Sequence, residues 1–128
     1  MVAKITSGIR VSVETQYQPD YSNPKQGHFV FTYQVTIENT GSQTAQLISR
    51  VWNIWDSNGE KKQIEGEGVV GRQPVIEPGQ SYQYVSGCNL KTTTGKMSGL
   101  YHMQRTYNEE PFDVTIPEFT LIVPYLLN

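Results

Sequence analysis

Gly66, Gly68 and Gly71, in the stretch Gly66-Glu67-Gly68-Val69-Val70-Gly71, carry the spacing with which nucleotide-binding folds cradle a diphosphate, and Arg72 follows with a fixed positive charge. In a dinucleotide fold such a stretch follows a strand and opens a helix whose N-terminal amides face the diphosphate. An acidic residue about 20 positions later then holds the ribose. Here Gly71 is followed by Arg72-Gln73-Pro74-Val75-Ile76-Glu77-Pro78-Gly79. Two prolines and a turn forbid that helix, so the glycines do not serve a dinucleotide fold. Two roles remain open. The glycines permit a bulge or tight crossing, or consecutive amides form an anion-binding nest beside Arg72. The candidate binding residues are Gly66, Glu67, Gly68, Val69, Val70, Gly71, Arg72 and Gln73.

Other reactive types are sparse. Cys88 is a nucleophile only beside a base that lowers its pKa, and His28 and His102 lie far from it in sequence. Late in a strand it reads as a small hydrophobe. No pair of His, Cys or carboxylate residues shows the short spacing of a zinc or calcium site. Neither catalytic residue, metal nor cofactor is therefore expected. Tyr17, Tyr21, Tyr33, Tyr82, Tyr84, Tyr101, Tyr107 and Tyr125 suggest stacking platforms, but alternation assigns most of them to sheet cores and cross-strand pairs. Tyr17 and Tyr21, beside Pro19 and Pro24, fall in an irregular segment and are minor candidates for contacts.

The elements that must hold these residues are strands. Ile9, Val11 and Val13 alternate with Arg10, Ser12 and Glu14, and Phe29, Phe31, Tyr33, Val35 and Ile37 alternate with polar residues up to the turn-forming Asn39-Thr40-Gly41-Ser42. From Ala45 to Asp56 the alternation weakens, with Leu47, Val51 and Trp55 on one face and Ile48, Trp52 and Ile54 on the other; a strand apolar on both faces is expected. Asn58-Gly59 signals a hairpin, with a returning strand over Lys61 to Glu65. Glu77-Pro78-Gly79-Gln80 is a β-turn sequence. Strands are expected around Tyr82 and Tyr84, from Met97 to Met103, and over Phe112 to Ile116 and Phe119 to Val123, where Pro117 marks an edge or bend. No window keeps a helical period. The expected fold is all-β: a single domain, 1–128, forming a fibronectin-III or immunoglobulin-like β-sandwich of seven to eight antiparallel strands. Trp52, Phe31, Tyr33, Tyr84 and Tyr101 are its expected core, and one cysteine excludes the disulfide between immunoglobulin sheets.

The 128 residues suit one domain that buries its own core. Ten basic against twelve acidic side chains leave a formal charge of -2, without the basic stripe that phosphate backbones require. Nucleic acid is not an expected partner, although Lys61, Lys62, Arg72 and Lys91 or Lys96 would form a small patch if folding gathered them. The apolar runs are far shorter than the roughly 18 to 20 residues of a membrane helix, and no export signal is visible. A soluble cytoplasmic protein is expected. Edge strands leave a homodimer open.

An ordered set of motifs runs along the chain: Val51-Trp52-Asn53-Ile54 with Asp56-Ser57-Asn58-Gly59, then Gly66 to Pro74 with Pro78-Gly79, Tyr84-Val85-Ser86-Gly87-Cys88, Gly95 to Met103, and Phe112 to Leu121, within a resemblance that covers Thr6 to Pro124. This set resembles the bacterial ApaG family, also called CorD. The resemblance implies a fibronectin-III-like sandwich, genetic association with cobalt resistance and magnesium efflux, and gene neighbours that hydrolyse diadenosine tetraphosphate. It also implies a non-enzymatic binding role, since related domains in F-box and polymerase-associated proteins are thought to recognise proteins. Another protein is thus the expected partner, with Gly66 to Pro74 and the Lys91 to Met97 loop as the surface. A phosphate or diadenosine polyphosphate nucleotide held by Gly66–Gly71 is the alternative. Position 72 departs from the family, which often carries an acidic residue or lysine there.

Overall fold

The computed structural model describes residues 1–124; Tyr125 lies outside them. Among the described residues nine strands follow in order: β1 (Val2–Thr6), β2 (Ile9–Tyr17), β3 (Phe29–Asn39), β4 (Ala45–Asp56), β5 (Lys61–Glu67), β6 (Val75–Ile76), β7 (Ser81–Leu90), β8 (Thr94–Arg105) and β9 (Pro111–Ile122). Two 3₁₀ turns, Pro19–Tyr21 and Pro24–Gln26, separate β2 from β3, and Tyr17 closes β2 instead of lying in that irregular segment. One sheet has the order β1-β2-β3-β7; the other runs β5-β4-β8-β9, with β6 pairing to β4, and every pair is antiparallel. The molecule is a β-sandwich. Its strand number exceeds the expected seven to eight because β1 and the two-residue β6 carry little alternating signal. The last two expected strands also merge into β9.

Period-two burial holds where the sequence shows it best. Along β3, Phe29, Phe31, Tyr33, Val35 and Ile37 are all buried and the residues between them are half-buried. Strand β4 departs, and a bulge explains why. Leu47 pairs with Met103 and Ser49 with His102, so Ile48 is an extra residue. Ala45 and Leu47 face the core before it, Trp52 after it. The bulge reverses the phase of the strand, which is why apolar residues occupy both faces when β4 is read as uninterrupted. A second bulge sets Pro117 and Glu118 opposite Ser98 and lets the edge strand β9 tolerate proline.

The layers meet through Tyr33 of β3, Trp52 of β4 and Phe119 of β9, whose ring centroids lie 5.3 to 5.9 Å apart. On one side the sandwich is closed: β9 lies over β1 and β2, and the Thr115 amide donates to Thr6 Oγ1 at 3.3 Å. On the other side the edge strands β5 and β7 face each other across a cleft of about 210 Å³.

Candidate functional site

The glycine stretch begins inside a strand. Gly66 and Glu67 end β5, paired with Arg50 and Ser49 of β4. Arg50 follows the bulge on the inward face of β4, where an aliphatic residue would be usual. Its Nη1 donates to the carbonyls of Glu67 (3.0 Å) and Gly68 (2.9 Å). Room for the guanidinium comes from Gly66: a Cβ there would stand 2.8 Å from Arg50 Nη1. A cation thus holds the carbonyl side of the stretch.

Beyond β5 the chain turns at Gly68, whose φ is +59° and whose missing Cβ would lie 2.1 Å from the Arg72 carbonyl oxygen. Only glycine fits that approach. Val69 and Arg72 then exchange backbone hydrogen bonds of 2.8 and 3.0 Å around Val70 (φ 48°) and Gly71 (φ 76°). Two positive φ values in a two-residue loop mark a type I′ hairpin turn. The turn is tied to the β4 bulge, because the Ile48 carbonyl accepts from the Gly68 amide (2.8 Å) and from Gln73 Nε2 (2.9 Å).

These bonds sort the sequence candidates. Gly68 and Val69 are buried, Val69 at 1% exposure within the core. Val70, Gly71, Arg72 and Gln73 face solvent, with Val70 63% exposed. Among the described residues, the Gly68, Val69 and Arg72 amides donate to chain carbonyls, while those of Val70 and Gly71 have no acceptor. A shallow depression of about 330 Å³ lies beside the stretch, lined by Arg50, Glu65, Glu67 and His102; His102 Nδ1 meets Asp113 Oδ1 at 2.7 Å.

A family model described as the ApaG domain matches residues 19–105, a span that includes Arg50, the whole glycine stretch and Cys88. The chain belongs to the ApaG family. It is 48% identical over 124 residues to Protein ApaG of Brucella anthropi, covering 97% of this chain and 95% of that one. Protein ApaG of Anaeromyxobacter sp. (strain K) is 47% identical over 128 residues, with 100% of both chains covered. A crystal structure from Bordetella pertussis superposes with a TM-score of 0.88 at 46% identity, covering 91% of this chain and 94% of that one. The curated names state no catalytic activity.

Within this ApaG-family chain the remaining candidates disperse. Cys88 is buried in β7, and burial pushes its thiol from 9.0 up to about 11, although Lys62 pulls the other way. Tyr33, Tyr84 and Tyr101 are core residues, as alternation predicts, and the hydroxyls of Tyr84 and Tyr101 bond to each other. Burial raises the pKa of all three. Tyr21 is 77% exposed, whereas Tyr17 packs on Phe31 at 5.3 Å. Among the lysines, Lys61 and Lys96 both pair with Trp55 from neighbouring strands, and Lys96 Nζ sits 5.2 Å from that ring. Arg72 lies beyond the opposite end of β5, so the basic patch is not gathered as one. The Lys91 to Met97 segment enters β8 at Thr94, and its first part is fastened to Asp56, which accepts from the Lys91 amide (2.7 Å) and from Thr92 Oγ1. Among the described residues no helix is long and apolar enough to cross a membrane.

Arg50 and the Ile48 bulge were invisible to motif matching. Their signal is the reversal of apolar phase between Leu47 and Trp52, with Arg50 lying between the two in β4.

Proposed function

We propose that this ApaG-family chain is a non-enzymatic binding module that recognises another protein through the tip of its glycine loop, Val70 to Gln73. Val70 carries the proposal. It is a β-branched residue at φ 48° and 63% exposed, on a turn braced from behind by Arg50 and Ile48. Such backbone is strained for valine, and burial of the side chain within the fold does not offset it. An apolar contact to a partner would account for retaining it, with Arg72 beside it as the charged determinant. The raised Cys88 pKa keeps that thiol protonated at neutral pH, in keeping with a binding role.

The test substitutes Val70→Asn, which suits a type I′ turn, and Arg72→Glu. Crosslinking of the wild-type chain in lysate is expected to recover a stoichiometric partner that both variants lose by about tenfold while still folded. Undiminished recovery with both would overturn the proposal. Under this proposal the cobalt and magnesium association of the family acts through the partner; stoichiometric cobalt binding by calorimetry would contradict that.

A second reading rests on the acceptor-free Val70 and Gly71 amides beside Arg72, which would suit a phosphate or nucleotide. Amide-resolved NMR titration with pyrophosphate, ATP and diadenosine tetraphosphate, with and without magnesium, tests it. Saturable shifts confined to Val70–Arg72 support an anion site, and no shifts at millimolar ligand reject it.

A further inference from the structure

Of the four strands that end the two sheets, three are blunted against pairing with another chain. Strand β1 carries Lys4, β5 carries Lys61, Lys62, Glu65 and Glu67, and β9 carries Asp113 and Glu118 with its bulge at Pro117. Strand β7, Ser81-Tyr82-Gln83-Tyr84-Val85-Ser86-Gly87-Cys88-Asn89-Leu90, has neither charge nor proline. Its backbone polarity follows from its neighbours. On β3 the Val30 carbonyl accepts from Gln18 and the Thr40 amide donates to Gly8, so even-numbered residues of that strand bond toward β2. Odd-numbered residues bond toward β7, as the Asn39 amide does to the Gln80 carbonyl. With Tyr84 opposite Val35 and Ser86 opposite Tyr33, the even residues of β7 are consumed by β3. Ser81, Gln83, Val85, Gly87 and Asn89 therefore turn their amides and carbonyls away from the sheet. The next outward amide, Lys91, is already taken by Asp56 at 2.7 Å.

Above this edge, which no strand among the described residues pairs on its outer side, the second sheet overhangs. Strand β5 pairs with β4 and lies opposite the position that a strand beyond β7 would occupy; Ile64 is left 44% exposed. The cleft between them is floored by Ile54, Ile64, Leu90 and Cys88. Its charges are unequal. Glu60 is paired with Lys91 at 3.0 Å and Asp56 accepts from Lys91 and Thr92, whereas Lys62, among the described residues, has no carboxylate partner.

We infer that the edge of β7 is a docking site for an extended segment of another protein. The segment adds to the β1-β2-β3-β7 sheet as a fifth strand, places an apolar side chain against Ile54 and Ile64, and sets an acidic side chain beside Lys62. Backbone hydrogen bonds to Ser81 through Asn89 supply the register, and the cleft selects the side chains. A second copy of the chain fits less well. Paired through its own β7 about an axis normal to the sheet, it would bring its own β5 to the same side, so that two overhanging strands would contend for one space. This site stands on residues separate from the loop tip and does not depend on it.

The test selects peptides from a random library displayed on phage against the immobilised wild-type chain, then titrates the enriched peptides by fluorescence polarisation. Enrichment of segments that alternate apolar and polar residues and carry Asp or Glu is expected. Val85→Pro removes an outward amide and no ladder bond to β3, and is expected to weaken binding about tenfold while lowering the thermal midpoint less than Ser86→Pro does. Lys62→Glu is expected to weaken acidic peptides and favour their lysine-substituted forms. Should Val85→Pro fail to fold, Ile64→Glu on the opposite strand keeps the question answerable, since undiminished binding to it overturns the inference. Lack of enrichment, equal binding to Val85→Pro, or NMR shifts confined to Val70–Gln73 would overturn it as well. A wild-type dimer in sedimentation that Val85→Pro converts to monomer would also overturn it, assigning the edge to a second copy.

Discussion

Arg50 is placed by an absence. A side chain at position 66 would occupy the space of its guanidinium, so Gly66→Ala is expected to push the arginine off the Glu67 and Gly68 carbonyls. Losing charge-assisted bonds of this kind costs about 1 to 3 kcal/mol, and Arg50→Met should cost a similar amount in urea unfolding. Gly68→Ala is expected to be worse. The clash there is with backbone that cannot swing away, and the positive φ adds strain, so a loss of about 2 to 4 kcal/mol is expected. Val70→Asn has the opposite sign. Asparagine adopts positive φ more readily than valine, and Asn-Gly is a preferred type I′ pair, so stability should rise by about 1 kcal/mol. A fall in thermal midpoint for Val70→Asn would remove the strain argument that supports recognition through the loop.

At the scale of elements, β4 and β7 show how one residue decides a strand's role. The extra Ile48 reverses the phase of β4, moves Trp52 inward, and leaves a carbonyl that the glycine turn uses. In β7 the parity of each residue decides whether its amide is needed. Ser86→Pro removes a ladder bond to Tyr33 and is expected to cost about 3 kcal/mol, whereas Val85→Pro, one position away, is expected to cost less than about 1.5 kcal/mol. Equal losses in urea unfolding would show that the outward amides of β7 are not free.

Across the whole molecule, the core has buried acids that resist ionisation. Burial raises the pKa of Tyr33, Tyr84 and Tyr101 above 10.0 and that of Cys88 from 9.0 to about 11. The unfolded chain therefore releases these protons at lower pH than the folded one. Their contribution to stability is whole below about pH 9 and declines as pH rises, first through Cys88 between 9 and 11 and then through the tyrosines from 10 upward. In an alkaline titration, the tyrosinate absorbance of these three should develop only as far-UV circular dichroism is lost. Full tyrosinate absorbance with an intact β-sheet spectrum would contradict the burial described.

Alternation along Ile9–Val13 and Phe29–Ile37, the Asn58-Gly59 hairpin and the Glu77–Gln80 turn were legible from the chain alone. Each is a property of residues close in sequence: a pleated backbone sends neighbouring side chains to opposite faces, and glycine or proline sets a local φ. The ordered motifs were likewise sufficient for the family. The exposed tip of the glycine loop was legible as a candidate, but its buried half was not. Whether Gly68 and Val69 face solvent depends on Arg50 and Ile48, about 20 residues upstream and brought near only by β4–β5 pairing. The division into two sheets, the bulges, the free edge of β7 and the shifted tyrosines were decided by tertiary structure. Strand pairing, close approach and desolvation arise between segments distant in sequence, and a one-residue slip in register would reassign every face.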